Sequence, residues 1–168
     1  VKLRQGRRYE INTLLINGSE CEPYLTADDA LMRERAEEIV DGARLVHYII
    51  EAFRVVIAVE NNKPEAIAAL RTAARPYGAI EIVAVPALYP TGSAKQLIQA
   101  VTGQEVPAGA RSNDLGVLVH NVATIYAIQQ ALRKNRPLIS RISTIAGGCV
   151  KYPQNVEVLM GTPAQHVI

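Results

Sequence analysis

Four short apolar runs set the frame of the chain: residues 13–16 (TLLI), 55–59 (VVIAV), 80–85 (IEIVAV) and 116–119 (GVLV). They are rich in Val and Ile and scarcely alternate with polar residues, as expected of strands covered on both faces. Between them lie helical patterns. Met32, Ala36, Ile39, Ala43, Val46, Ile50 and Phe53 recur at steps of four and three, drawing one apolar stripe along a single long helix. Thr26 is placed to cap its start, Asp28 and Asp29 suit the positive end of its dipole, and Gly42 is a mild weakness within it.

A second helix follows Asn61 and Asn62, with Pro64 in its first turn and Ile67, Leu70 and Ala74 on one side, ending near Tyr77 and Gly78. A third runs from Ser93 to Val101, with Gly103 as a left-handed stop. The fourth spans about 121–134, with Val122, Ile125, Gln129 and Leu132 on its stripe, and halts before Pro137. Strand, loop and helix repeated four times predict the α/β class, with a largely parallel sheet flanked by helices and right-handed crossovers. Strand order does not follow from this pattern. From Leu138 the texture changes to β-branched segments broken at Gly147-Gly148 and at Pro153-Gln154-Asn155, which predicts a short antiparallel β segment.

Composition narrows the function classes. The 168 residues suit one domain of ordinary size, and a formal net charge of +2 argues against nucleic acid as a partner. Lys2, Arg4, Arg7 and Arg8 make a short basic cluster, which by itself reads as a solvated end. Cys21 and Cys149 are the only cysteines and do not announce a disulfide framework, so a reducing, cytoplasmic setting fits. No apolar run approaches the roughly 20 residues that span a bilayer, so there is no direct membrane span. The first residue is Val, which suggests a start inside a longer gene product.

In an open α/β sheet, ligands bind at the carboxyl ends of the strands, where helix starts and loop amides converge. Four loops are selected by that rule: 17–24 (NGSECEPY), 60–63 (ENNK), 86–93 (PALYPTGS) and 120–124 (HNVAT). In the first, Glu20 and Glu22 flank Cys21, and they read as dipole partners, as an acid–base pair, or as acceptors for ligand hydroxyls. Cys21 as a nucleophile would need a base, which the sequence does not place beside it. The third loop brings Gly92 and Ser93 to a helix start, without the length or lysine of a Walker loop. In the fourth, Asn121 reads most simply as an N-cap. His47, His120 and His166 have no metal-ligand spacing, and no metal site is assigned.

Taken in order, "INGSECEPYLTADDALMRERAEEIV", "ENNKPEAIAAL", "YPTGSAKQLIQAVTG", "GVLVHNVATIYAI" and "VLMGTP" resemble the RnfC subunit of the Rnf electron-transport complex over about residues 1–163. That subunit is similar to the flavin-carrying, NADH-oxidising subunit of respiratory complex I. The cobalamin-reductase flavoproteins of propanediol metabolism are a poorer match.

The resemblance implies a Rossmann-like domain over 1–137 that binds FMN and receives NADH, with 138–168 leading into a β-grasp-like domain. Matched to the family's motifs, Lys2, Asn17, Ser19, Glu20, Glu22, Tyr89, Gly92, His120, Asn121 and Thr124 become the cofactor-binding residues. FMN presents a phosphate, a polyhydroxyl chain and a flat amphipathic ring, and these loops contain amides, acceptors and aromatic surface to meet them. The implied activity is that of a subunit of an ion-translocating ferredoxin:NAD oxidoreductase, passing electrons between nicotinamide and iron–sulfur centres. Those centres lie outside this chain. No residue is assigned as catalytic acid, base or nucleophile, because the cofactor carries the redox chemistry. The implied partners are the other subunits of the complex, and the implied location is peripheral, on the cytoplasmic side of the cell membrane.

The family's glycine-rich loop would lie just upstream of "VKL", so the isolated chain is expected to bind FMN weakly or not at all and to be inactive. Ala94 and His120 depart from the complex I pattern, which calls for an acid and an amide there. Two other functions fit the residues: an assembly module that docks without cofactor, and a flavoprotein of the cobalamin-reductase kind.

Overall fold

The computed structural model describes residues 9–167. Strands β1 (Thr13–Gly18), β2 (Arg54–Glu60), β3 (Ile80–Val85) and β4 (Val117–Asn121) form one sheet in the order β3-β2-β1-β4. Every pairing in it is parallel. The apolar runs place these strands as expected, and the central pair is buried on both faces: Leu14, Leu15, Ile16, Val55, Val56 and Ile57 are fully inaccessible. Each such side chain contributes about 1.5–3 kcal/mol over an exposed one, which fixes the register of the sheet interior.

Helices α1 (Ala27–Glu34), α2 (Ala36–Ile50), α3 (Pro64–Ala74) and α5 (Val122–Lys134) cover one face, where Leu14, Ile16, Val55 and Ile57 point. Helix α4 (Ala94–Thr102) covers the other, over Leu15, Val56 and Val119. The single long helix predicted from the stripe is in fact two, α1 and α2. Arg35 leaves the helical region (φ −129°, ψ 32°) and both ends α1 and starts α2. No Pro or Gly marks the joint. The stripe keeps its face across it, since Met32, Ala36 and Ile39 are all buried, but the interruption lets α1 pack on α3 while α2 packs on α5.

Three further expectations are corrected. Phe53 lies beyond the left-handed stop at Glu51 (φ 55°) and is 89% exposed, so it is outside the stripe. Leu132, near the end of α5, is exposed as well, leaving Val122, Ile125 and Gln129 as that helix's inner face. Gly42 is not a weakness: a Cβ there would stand 2.5 Å from the Ile125 carbonyl oxygen, so its absence is what lets α2 and α5 approach. Gly103 ends α4 in the left-handed conformation (φ 72°), as predicted.

The tail is the expected antiparallel hairpin, β5 (Ser140–Ile145) with β6 (Gln154–Leu159). Polar contacts hold it to the start of α1. The Thr26 N–H donates to Thr144 Oγ1 at 3.1 Å, the Thr26 hydroxyl lies 3.1 Å from Asn155 Oδ1, and Asn155 Nδ2 donates to the Thr26 carbonyl at 3.2 Å.

Candidate functional site

The strand order creates one switch point. The chain leaves β1 to build β2 on one side, then crosses the sheet to add β4 on the other, so the connections part between β1 and β4. A crevice opens at the carboxyl ends of two such strands. Asn17 and Asn121 stand opposite each other in register there, next to the pair Ile16 and His120.

Three of the four selected loops are tied together at this point. Asn17 Nδ2 donates to the Gly92 carbonyl at 2.8 Å, and Asn17 Oδ1 accepts from the Ser19 N–H at 2.9 Å. One side chain thus joins the loop after β1 to the loop before α4. A Cβ on Gly92 would lie 2.8 Å from Cys21 Sγ and 3.2 Å from the Ser19 carbonyl oxygen, so any side chain there would turn the Cys21 thiol aside and press on the Ser19 carbonyl.

On the other side of the crevice Glu20 takes the capping role expected of Thr26, whose hydroxyl makes no cap bond. Its two carboxylate oxygens accept the N–H groups of Asp28 (3.0 Å) and Asp29 (3.3 Å), satisfying two of the unpaired donors of α1. Asp28 Oδ2 in turn accepts from Asn121 Nδ2 at 2.6 Å, while Asn121 Oδ1 accepts from the Ala123 N–H at 2.8 Å and caps α5. Glu20, Asp28 and Asn121 form one continuous link from the β1 loop through α1 to α5.

These bonds sort the predicted residues. The side chains of Asn17, Glu20 and Asn121 spend their principal hydrogen bonds on building the rim. Ser19 is different: it is only 7% exposed, and its Oγ has no hydrogen-bond partner among the described residues. Glu22 is exposed, its carboxylate 3.8 Å from the Cys21 thiol, and Tyr89, in the loop before α4, is 76% exposed. His120 is buried at the end of β4, and Thr124 is half-buried in the first turn of α5. Lys2 lies outside the described residues.

Two partly buried carboxyls stand along this rim. Burial raises the carboxyl of Glu20 above its ordinary range, against the opposing effect of the two N–H groups it accepts. Asp28 is likewise raised by burial, with the Asn121 amide and the nearby Arg141 charge pulling the other way. Carboxyl oxygens placed here are suited to accept from hydroxyls and ring N–H groups, and ill suited to lie against a phosphate.

One residue of the site is not apparent from sequence: Asp28, which reads there as a dipole partner, is the bridge between α1 and Asn121. Glu60, in the selected loop 60–63, ends β2 after a run of five apolar residues and is only 2% exposed.

A sizeable cavity lies apart from this crevice. It holds about 650 Å³ between α1, α5 and the β5–β6 hairpin, and of the rim residues only Asp28 borders it. Among the described residues no group of three or more His, Cys, Asp or Glu is placed to hold a metal ion, and no helix is long and apolar enough to cross a membrane.

Comparison with known proteins places the chain. The Nuo51 FMN-binding domain family matches residues 1–130. The C subunit of the ion-translocating oxidoreductase complex of Pasteurella multocida (strain Pm70) is 50% identical over 159 residues, 95% of this chain and 19% of the relative. The protein of the same name from Rhodobacter capsulatus is 48% identical over 169 residues, 100% of this chain and 33% of the relative. The chain therefore spans about a fifth to a third of the length of these relatives. Among solved structures, an NAD+-reducing [NiFe]-hydrogenase in the H2-reduced state superposes with a TM-score of 0.78 at 23% identity, over 99% of this chain and 34% of that one, which establishes the shared fold. The chain belongs to the Nuo51 FMN-binding domain family.

Proposed function

We propose that this member of the family is the flavin-holding part of the C subunit of an ion-translocating oxidoreductase complex, with FMN seated at the carboxyl ends of β1 and β4. The observation that carries this is the Asn17 bridge, which fastens the Ser19–Glu22 loop to the Tyr89–Gly92 loop at the switch point of the sheet.

The donors present fit the cofactor part by part. Two helix starts at the crevice are closed from within, α1 by Glu20 and α5 by Asn121. The start of α4 is not: Ser93 makes no side-chain cap bond and no acidic residue lies in the first turn. An anionic phosphate is favoured at such an end. The Ser19 hydroxyl, buried and without a partner among the described residues, supplies a hydrogen bond for a ribityl hydroxyl. Glu22 and the raised carboxyls of Glu20 and Asp28 supply acceptors, and Tyr89 offers exposed aromatic surface. Lys2, His120 and Thr124 complete the proposed contact set.

When bound, FMN supplies the exchange between a two-electron hydride donor and one-electron acceptors. The protein's part is to hold: Asn17 fixes the spacing of the two loops, Glu20 and Asn121 orient the helix starts, and the carboxyls of Glu20 and Asp28 form a hydrogen-bonding wall beside the ring. NADH as the nicotinamide partner, iron–sulfur centres and ferredoxin as further carriers, and the coupling to ion movement by membrane subunits belong to this same proposal. So do a peripheral position on the cytoplasmic side and the division into a binding core over 1–137 and a β segment over 138–168.

Fluorescence titration of the full-length protein with FMN tests it. Saturable quenching that Ser19→Val weakens by about tenfold, the loss of a hydrogen bond in a closed site plus steric filling, is expected. Equal quenching by the wild type and Ser19→Val would remove the crevice from consideration.

A further inference from the structure

The 650 Å³ cavity between α1, α5 and the hairpin has features that the flavin proposal leaves unused. Its size falls within the ~300–1,000 Å³ of small-molecule sites. Gln130 lines it, at 7% exposure, and Gln130 Oε1 has no hydrogen-bond partner among the described residues.

The direction of that amide is dictated by its neighbours. Gln130 Nε2 donates to Gln129 Oε1 at 2.7 Å, and Gln129 Nε2 donates to Asp41 Oδ2 at 3.3 Å. Asp41 is gripped by Arg133 through bonds of 3.0 and 2.9 Å, which hold its carboxyl below its ordinary range. An ionised carboxylate only accepts, so it fixes the orientation of Gln129, which fixes that of Gln130. The Gln130 oxygen cannot be exchanged for the nitrogen by a flip without breaking the relay. A buried acceptor with an imposed direction calls for a donor.

Three arginines, Arg35, Arg136 and Arg141, border the cavity against two acids, Asp28 and Glu157, so its wall carries a net positive charge. The Asn121 amide holds Asp28 and the Ser140 hydroxyl holds Glu157. Among the described residues neither Arg136 nor Arg141 makes an ion pair. Tyr126, Leu138 and Leu159 provide apolar wall between these polar groups.

We propose that this cavity is a second ligand site, for a small organic anion bearing an O–H or N–H donor: the anionic group on Arg136 and Arg141, the apolar body against Tyr126, Leu138 and Leu159, and the donor on Gln130 Oε1. The cavity shares Asp28 with the rim of the flavin crevice, but none of the groups proposed to hold the anion belongs to that rim, so the proposal stands or falls without the flavin.

Calorimetric titration of the full-length protein with 4-hydroxybenzoate, benzoate and phenol tests the three parts separately. 4-Hydroxybenzoate binds about three- to tenfold tighter than benzoate, the worth of one hydrogen bond, and about tenfold tighter than phenol through the charge-assisted contacts. Gln130→Met brings the first ratio to about one, and Arg136→Gln with Arg141→Gln brings the second to about one. The wild-type series stands by itself should Gln130→Met fail to fold. No saturable binding of 4-hydroxybenzoate up to about 10 mM, equal affinities for the three compounds, or a hydroxyl advantage that survives in folded Gln130→Met each overturn the proposal.

Discussion

Asn17, at the end of β1, donates its side-chain amide to the carbonyl of Gly92 at 2.8 Å across 75 positions of sequence, while its oxygen receives the Ser19 N–H. Two loops that share no secondary structure are held by one residue. Asn17→Ala removes both bonds, each worth about 0.5–1.5 kcal/mol. A loss of roughly 1–3 kcal/mol in urea unfolding is expected, together with a larger fractional loss in flavin affinity, because the loops would separate. A variant with unchanged flavin affinity would show that the bridge does not shape the site.

Gly92 is constrained by contact. Gly92→Ala would press a methyl against Cys21 Sγ, 2.8 Å away, and against the Ser19 carbonyl, 3.2 Å away. Flavin affinity should fall in this variant and recover in part when Cys21→Ala is added, since only the first of the two clashes is then relieved. A titration of the single and double variants reads this directly, and a double variant no better than the single one would place the clash elsewhere.

Gly42→Ala is the complementary case. Its Cβ would meet the Ile125 carbonyl oxygen at 2.5 Å and Ile125 Cγ2 at 2.9 Å, at the crossing of α2 and α5. Overpacking of a fixed helix contact costs about 1–3 kcal/mol. Thermal unfolding should show that loss, with the flavin dissociation constant unaltered in the folded protein.

The carboxyls give two opposite dependences on pH. Glu20 and Asp28 have folded values raised above the ordinary 4.5 and 3.8, so burying them ionised is unfavourable. Their contribution to stability is fully present below those ordinary values and is lost as pH rises through the raised ones. Asp41, lowered by Arg133, contributes above 3.8 and loses that contribution as pH falls through its lowered value. Asp28→Asn keeps an oxygen for the Asn121 amide while removing the ionisation. The stability of Asp28→Asn relative to wild type should therefore rise as pH increases from about 3.8 upward. Unfolding curves across that range check it, and a flat difference would contradict it.

Much of the fold is legible in the sequence because it rests on burial. Continuous Val- and Ile-rich runs such as 55–59 form covered strands, and Gly103 ends its helix where the apolar stripe stops. The break at Arg35 is not legible, since a stripe at steps of four and three stays intact when one residue between its turns leaves the helical region. Nor is the capping of α1 by Glu20: Thr26 sits at the position where a cap belongs, whereas Glu20 arrives there only because the loop after β1 folds back over the helix start. The four loops at the strand ends can be chosen from sequence. That Asn17, Glu20 and Asn121 join them to each other depends on strand order, which the apolar pattern does not encode.

Density for the flavin in a structure of the full-length protein with FMN bears most directly on the central claim. FMN is predicted against the joined Ser19–Glu22 and Tyr89–Gly92 loops, with its phosphate at the start of α4 and a ribityl hydroxyl within hydrogen-bond distance of Ser19 Oγ. Flavin found instead in the cavity lined by Gln130 and Arg141, or on the far side of the sheet from Asn17, would contradict it.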